Sequence, residues 1–212
     1  MKRISLFCIL LLAISLQATA SLTTNFTSGF ANNGILPDGD LNGWADTRNL
    51  SVTEYAGLTV ADVQVTLNIS GGWNGDLYGY LVHGSGFVVL LDRVGSGNVG
   101  AAGYGDSGMS VILGSTGANG SIQTYGGNSI FSSSPSGNYS TITPSAWNSF
   151  DGTDVNGNWT LFLADMSSGD ISQVTGWALT IEAVPEPATW AMIIFGAAFG
   201  CWQLARWRTK HC

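Results

Sequence analysis

Val60-Ala61-Asp62-Val63-Gln64-Val65-Thr66-Leu67-Asn68-Ile69 decides the fold. Val63, Val65, Leu67 and Ile69 alternate with Asp62, Gln64, Thr66 and Asn68, a period of two that gives a strand buried on one face. Helical spacing is absent. Working outward, short strands are expected over 77–82, 87–91, 109–113, 121–125, 159–164 and 175–182. Gly71-Gly72, Gly84-Ser85-Gly86 and Asn156-Gly157 punctuate them as turns. The residues before Thr47 carry little periodicity, and 21–34 reads as a leader strand or loop. Many short strands without a helix-length pattern predict an all-β fold, an antiparallel, jelly-roll-like β-sandwich.

Charge narrows the partners. Between Asp38 and Glu182 lie thirteen acidic residues against Arg48 and Arg93, a net of −11. Nucleic acid is excluded as a partner, because phosphate binding needs a basic surface. All three cysteines, Cys8, Cys201 and Cys212, fall outside this region, so its fold rests on core burial without a disulfide.

The two ends of the chain read as targeting segments. Lys2 and Arg3 precede an apolar run over 4–16, and Ala18-Thr19-Ala20 forms a small-x-small cleavage site. This predicts a signal peptide over 1–20, removed by signal peptidase after Ala20. At the other end Pro185-Glu186-Pro187 precedes an apolar run over 188–205, and Arg206, Arg208 and Lys210 follow it. As a helix the run spans roughly 27 Å, enough for a bilayer core, and the basic residues assign its far end to the cytoplasm. The prolines hold the segment before it extended.

This order of Pro-Glu-Pro motif, apolar helix and basic tail over 184–210 resembles the PEP-CTERM sorting signal of Gram-negative bacteria. The resemblance implies processing by an exosortase, a membrane-embedded transpeptidase, with Pro185, Glu186 and Pro187 as its recognition residues. It further implies a transient inner-membrane stage and delivery to a cell surface rich in extracellular polysaccharide.

The body of the chain, 35–183, resembles the P domain, the β-sandwich that follows the catalytic domain of proprotein convertases. Pro37-Asp38 with Gly43 is similar to its opening, and Val63-x-Val65-x-Leu67 followed by Gly75-Asp76-Leu77 and Leu81 is similar to its central hairpin. Gly157-Asn158-Trp159-Thr160-Leu161 with Asp165, and Gly176-Trp177 with Leu179 and Ile181, are similar to its closing strands. Gly79, Gly84 and the glycine-rich segment 95–108 depart from the pattern. The resemblance implies a protease upstream, and no catalytic domain stands between the leader and residue 35.

Each candidate chemistry competes with a structural alternative. A serine hydrolase needs a histidine base, and the body has His83 alone, at a strand end where a turn is expected. For glycoside hydrolysis Asp151 with Asp154, or Asp165 with Asp170, can be named, yet no spacing selects a pair. We therefore expect no enzyme activity. Asp38-Gly39-Asp40-Leu41-Asn42-Gly43 matches the first half of a calcium loop, although Asn49 stands where the closing glutamate belongs. The resemblance to the P domain, some secreted members of which bind calcium, implies a calcium site somewhere among Asp38, Asp40, Asp76 and Asp165. Trp73, Tyr78, Tyr80, Tyr104 and Tyr139 are candidates for a sugar-stacking row, with Tyr78 and Tyr80 opposite Leu77 and Leu81, whereas Trp159 and Trp177 are assigned to the core. The expected role is a non-enzymatic surface or matrix protein associated with exopolysaccharide. The alternatives are a carbohydrate- or protein-binding module, or an accessory domain of a separate secreted protease.

Overall fold

The computed structural model describes residues 19–185 together with Phe195, Gly196 and Phe199. Ala18, Glu186, Pro187, Arg206, Arg208 and Lys210, and the expected span 188–205 apart from those three residues, lie outside the described residues. No helix among the described residues is long and apolar enough to cross a membrane.

Among the described residues nine strands form two sheets. One has the order β1 (Ala20–Phe26), β9 (Ser172–Pro185), β3 (Leu58–Gly71), β6 (Met109–Gly114), β7 (Ser136–Ser140). The other has the order β2 (Trp44–Leu50), β8 (Gly157–Asp165), β4 (Leu77–His83), β5 (Gly86–Asp92). Side chains alternate across each sheet, so the apolar positions of the two inner faces meet in one β-sandwich core. Val63, Val65, Leu67 and Ile69 of β3 supply one layer, and Leu77, Leu81, Leu161 and Leu163 the other. Trp159 and Trp177 are buried between them, as their place in the motifs suggested.

The topology gives the sandwich two unlike ends. Connections 27–43, 72–76, 93–108 and 166–171, with the approach to β7 over 125–135, gather at one end, here the upper. Connections 51–57, 84–85, 115–121 and 141–156 gather at the lower end. Ala20, paired with Ala183, and Pro185, paired with Leu58, also lie there.

Two expectations need correction, and two segments without periodicity gain detail. Residues 121–125 do not form a strand: the Ser121 hydroxyl accepts the Gln123 N–H at 3.2 Å and starts a 3-10 turn over Ile122–Thr124. The sheets are not wholly antiparallel, because β7 runs parallel to β6. Strand β2 carries no apolar alternation, since its inward positions include Asp46, which stays buried by accepting the Trp177 indole N–H and the Arg48 guanidinium, each at 2.7 Å. Within 21–34, residues up to Phe26 form the edge strand that pairs with β9 over seven residues. Gly79, a departure from the family pattern, has a packing reason: a Cβ there would strike the Leu163 side chain of the neighbouring strand.

Candidate functional site

The upper end collects the four aspartates singled out in the sequence. Gly75-Asp76-Leu77 and the 157–165 segment, some ninety positions apart in chain order, meet there as paired strands: Leu77 lies opposite Asp165. The Met166 N–H donates to the Asp76 carbonyl at 2.8 Å.

Three of the four carboxylates are already engaged. Both Asp38 oxygens accept the Gly169 N–H, at 3.1 and 3.2 Å, which joins loop 37–43 to loop 166–171. Asp40 Oδ1 accepts the backbone and side-chain N–H groups of Asn42, each at 2.9 Å, in a local turn. Asp76 faces Arg93 at 3.6 Å. Only Asp165 is uncommitted, and it is 1% exposed with neither carboxylate oxygen in a hydrogen bond. Burial pushes its carboxyl above the ordinary value. The nearby Ser167 N–H and Ser172 hydroxyl offset part of that without making a well-formed hydrogen bond, and Asp76 and Asp38 push it further up. Beside it, Gly72 (φ +69°) leaves room for the Ser172 hydroxyl, which a Cβ would overlap.

Calcium needs six to eight oxygen ligands converging on one point. Here the turn-forming oxygens point to protein N–H groups, and among the described residues no group of three or more His, Cys, Asp or Glu side chains could hold a metal. Among the described residues Asp38, Asp40, Asp76 and Asp165 share one end of the sandwich without forming such a group.

His83 lies at the lower end, buried. Its ring stacks on Trp159 at 3.8 Å and 3°, and its two nitrogens meet the carbonyl oxygens of Asn158 (2.9 Å) and Asp154 (2.6 Å). With both nitrogens on backbone carbonyls, the ring is a clasp between β4 and the 154–158 turn and has no nitrogen facing a nucleophile. Asp151 and Asp154 belong to that same end, and the Asp154 side chain caps the Asn156 N–H at 2.9 Å.

The aromatic candidates do not form one row. Tyr104 and Tyr139 are buried, and the Tyr104 hydroxyl donates to the Gly127 carbonyl at 2.8 Å. Tyr78 and Tyr80 do project from the outer face of β4. There Tyr80 stacks on Phe162 of β8 at 4.6 Å and 13° on one side and lies 5.3 Å from Phe87 of β5 on the other. These rings cover one another, and stacking on a pyranose needs a free ring face. Trp73 belongs to the upper end, edge-on to Phe131 at 5.4 Å.

Sequence reasoning missed a polar network at the upper end. Asp106 is buried and accepts the Ser132 N–H (2.8 Å), the Ser132 hydroxyl (3.0 Å) and the Tyr125 hydroxyl (3.0 Å). Tyr125 in turn accepts from Asn74 at 3.2 Å, and burial, with the adjacent Asp106 carboxylate, drives its phenol well above the ordinary range. No periodicity marks these residues, which lie in glycine- and serine-rich loops.

No family model matches the chain, and no curated protein matches it. Solved structures similar to it include the Aeromonas sobria serine protease in complex with its chaperone, at TM-score 0.49 and 14% identity over 81% of this chain and 28% of that one. The Aeromonas sobria serine protease alone aligns at TM-score 0.47 and 14% identity, over 79% of this chain and 27% of that one. The chain thus spans under a third of the length of these neighbours.

Proposed function

We propose that this chain is an exported, non-enzymatic binding module on the P-domain pattern, acting as an accessory to a separately encoded secreted protease. The supporting observation is the convergence of the sequence pieces that resemble that domain. Loop 37–43, the Gly75-Asp76-Leu77 turn and the 157–165 strand are distant in the chain, yet they meet at one end and are tied there by Asp38, Asp76 and Met166. The test adds the purified protein to secreted proteases of the producing cells and follows their inactivation half-life. A longer half-life for one protease is expected; unchanged half-lives for all of them would contradict the accessory role.

The C-terminal end adds a proposed route. An exosortase-type enzyme processes the Pro185-Glu186-Pro187 segment, after which the module reaches the exopolysaccharide-rich surface. Replacing the three residues by alanine is expected to leave a full-length, membrane-bound form. An unchanged mature C-terminus and cell fraction would remove the sorting step.

A further inference from the structure

The most exposed large apolar side chains of the sandwich, among the described residues, are Leu41 (65%), Phe131 (62%) and Ile171 (61%), and all three sit on upper-end loops. Large apolar groups exposed at loop tips cost solubility and carry recognition when grouped. These are grouped. Asp38 ties the loop of Leu41 to the 166–171 loop of Ile171, and the Ile171 carbonyl lies against Gly71. Trp73 follows two residues on and meets Phe131 edge-on.

The surroundings select the occupant. Asp38 and Asp170 are exposed and Asp40 half-buried beside the tips, while the two arginines of the described residues are paired with Asp46 and Asp76. An acidic collar of this kind repels a second copy of the chain and anionic lipid headgroups, and attracts a cationic surface. Of the three tips Phe131 alone carries a ring, and that ring is already in a T-shaped contact with Trp73, whereas leucine and isoleucine offer no ring face to a sugar; all three fill an apolar cleft. Ala20 and Pro185, the outer ends of β1 and β9, lie at the opposite end from the tips.

We infer that the upper end is a docking surface for a protein partner that presents an apolar cleft edged by lysine or arginine. The inference rests on the reading of the chain as a binding module and names that module's contact. The experiment places a photo-crosslinking residue at Phe131, or at Ile142 of the lower end, in the full chain expressed in the producing cells. An adduct at position 131 and none at 142 is expected. The captured protein, once purified, is expected to bind the wild type more weakly as salt rises, and to bind a Leu41→Ser, Phe131→Ser, Ile171→Ser triple variant at least tenfold more weakly. Leu41→Ser alone serves if the triple variant unfolds, with a severalfold loss expected. Adducts at 142 only, self-adducts, binding to phosphatidylcholine or phosphatidylglycerol vesicles or to a neutral glucan in place of protein, or affinity unchanged by the substitutions would each overturn the inference. If a protease is stabilised equally by wild type and triple variant, the accessory reading survives and this surface does not. If the captured partner is no protease, the surface stands and the accessory reading falls.

Discussion

The two ends of the sandwich are built by opposite rules. At the lower end the buried polar groups are paired: both His83 nitrogens, the Trp159 indole N–H on the Val155 carbonyl at 3.1 Å, and the Trp147 indole N–H on the Thr141 hydroxyl at 2.9 Å. At the upper end, or in segments bonded to it, lie the buried side-chain atoms without a partner among the described residues: Trp73 Nε1, Asn74 Oδ1, Gln123 Oε1, both oxygens of Asp165 and the Ser172 hydroxyl. An unpaired buried polar group costs roughly 1–3 kcal/mol, so folded proteins rarely keep several together. The same end exposes Leu41, Phe131 and Ile171. The lower end pairs its buried polar groups within the chain, whereas the upper end leaves polar atoms unpaired and apolar tips exposed among the described residues.

The largest expected effect tests the lower end. His83→Ala removes the contacts of the ring nitrogens with the Asn158 and Asp154 carbonyls and strips the stack from Trp159, and is expected to cost about 3 kcal/mol in urea unfolding. A cost below about 1 kcal/mol would mean that this end is not pinned as described. At the upper end, Gly72→Ala forces a Cβ onto Ser172 at φ +69°, with an expected loss of about 2 kcal/mol.

Asp165→Asn acts in the other direction. The folded chain holds the Asp165 proton to higher pH than the unfolded chain, where the carboxyl titrates near 3.8. Its contribution is therefore fully present below that value and is lost as pH rises through the folded-state value. The substitution is expected to raise stability at neutral pH by about 1 kcal/mol and to flatten the slope of unfolding free energy against pH. Asp62, whose carboxyl is also raised, chiefly by burial, keeps a residual slope of the same sign. A destabilised variant with an unchanged pH slope would show Asp165 to be charged and matched by something else. Calcium added after chelation is expected to shift the unfolding free energy by less than about 0.4 kcal/mol, the linkage effect of a ligand below its dissociation constant. The tips carry a similarly small effect: Leu41→Ser, Phe131→Ser and Ile171→Ser are each expected to change stability by no more than about 0.5 kcal/mol, because the side chains are already mostly in water.

What could be read from the sequence follows the same division. Strands β3, β4, β5, β6, β8 and β9 carry alternating or continuous apolar residues, since each packs a face on the core, and that pattern survives in the chain. Strand β2 hides because Asp46 sits inward, and a buried acid is stable there through Arg48 and through Trp177, more than a hundred positions away. Strand β7, Ser136-Gly137-Asn138-Tyr139-Ser140, buries Tyr139 alone and owes its place to parallel pairing with β6. At the site, Asp38, Asp76 and Asp165 were legible as motif residues, and their meeting was implied by the resemblance. Their roles were not legible, because a carboxylate that bonds Gly169 and one left unpaired look alike in sequence. The apolar tips were invisible for a related reason: exposure of Leu41 or Phe131 is decided by loop packing, and hydropathy patterns assume that such residues go inside.

Hydrogen exchange on the protein in its secreted setting, compared with the purified protein, tests the asymmetry between the ends most directly. The account predicts added protection in 38–43, 127–135 and 166–171, and none in 141–156. Protection confined to 141–156, or spread evenly over both ends, would contradict it.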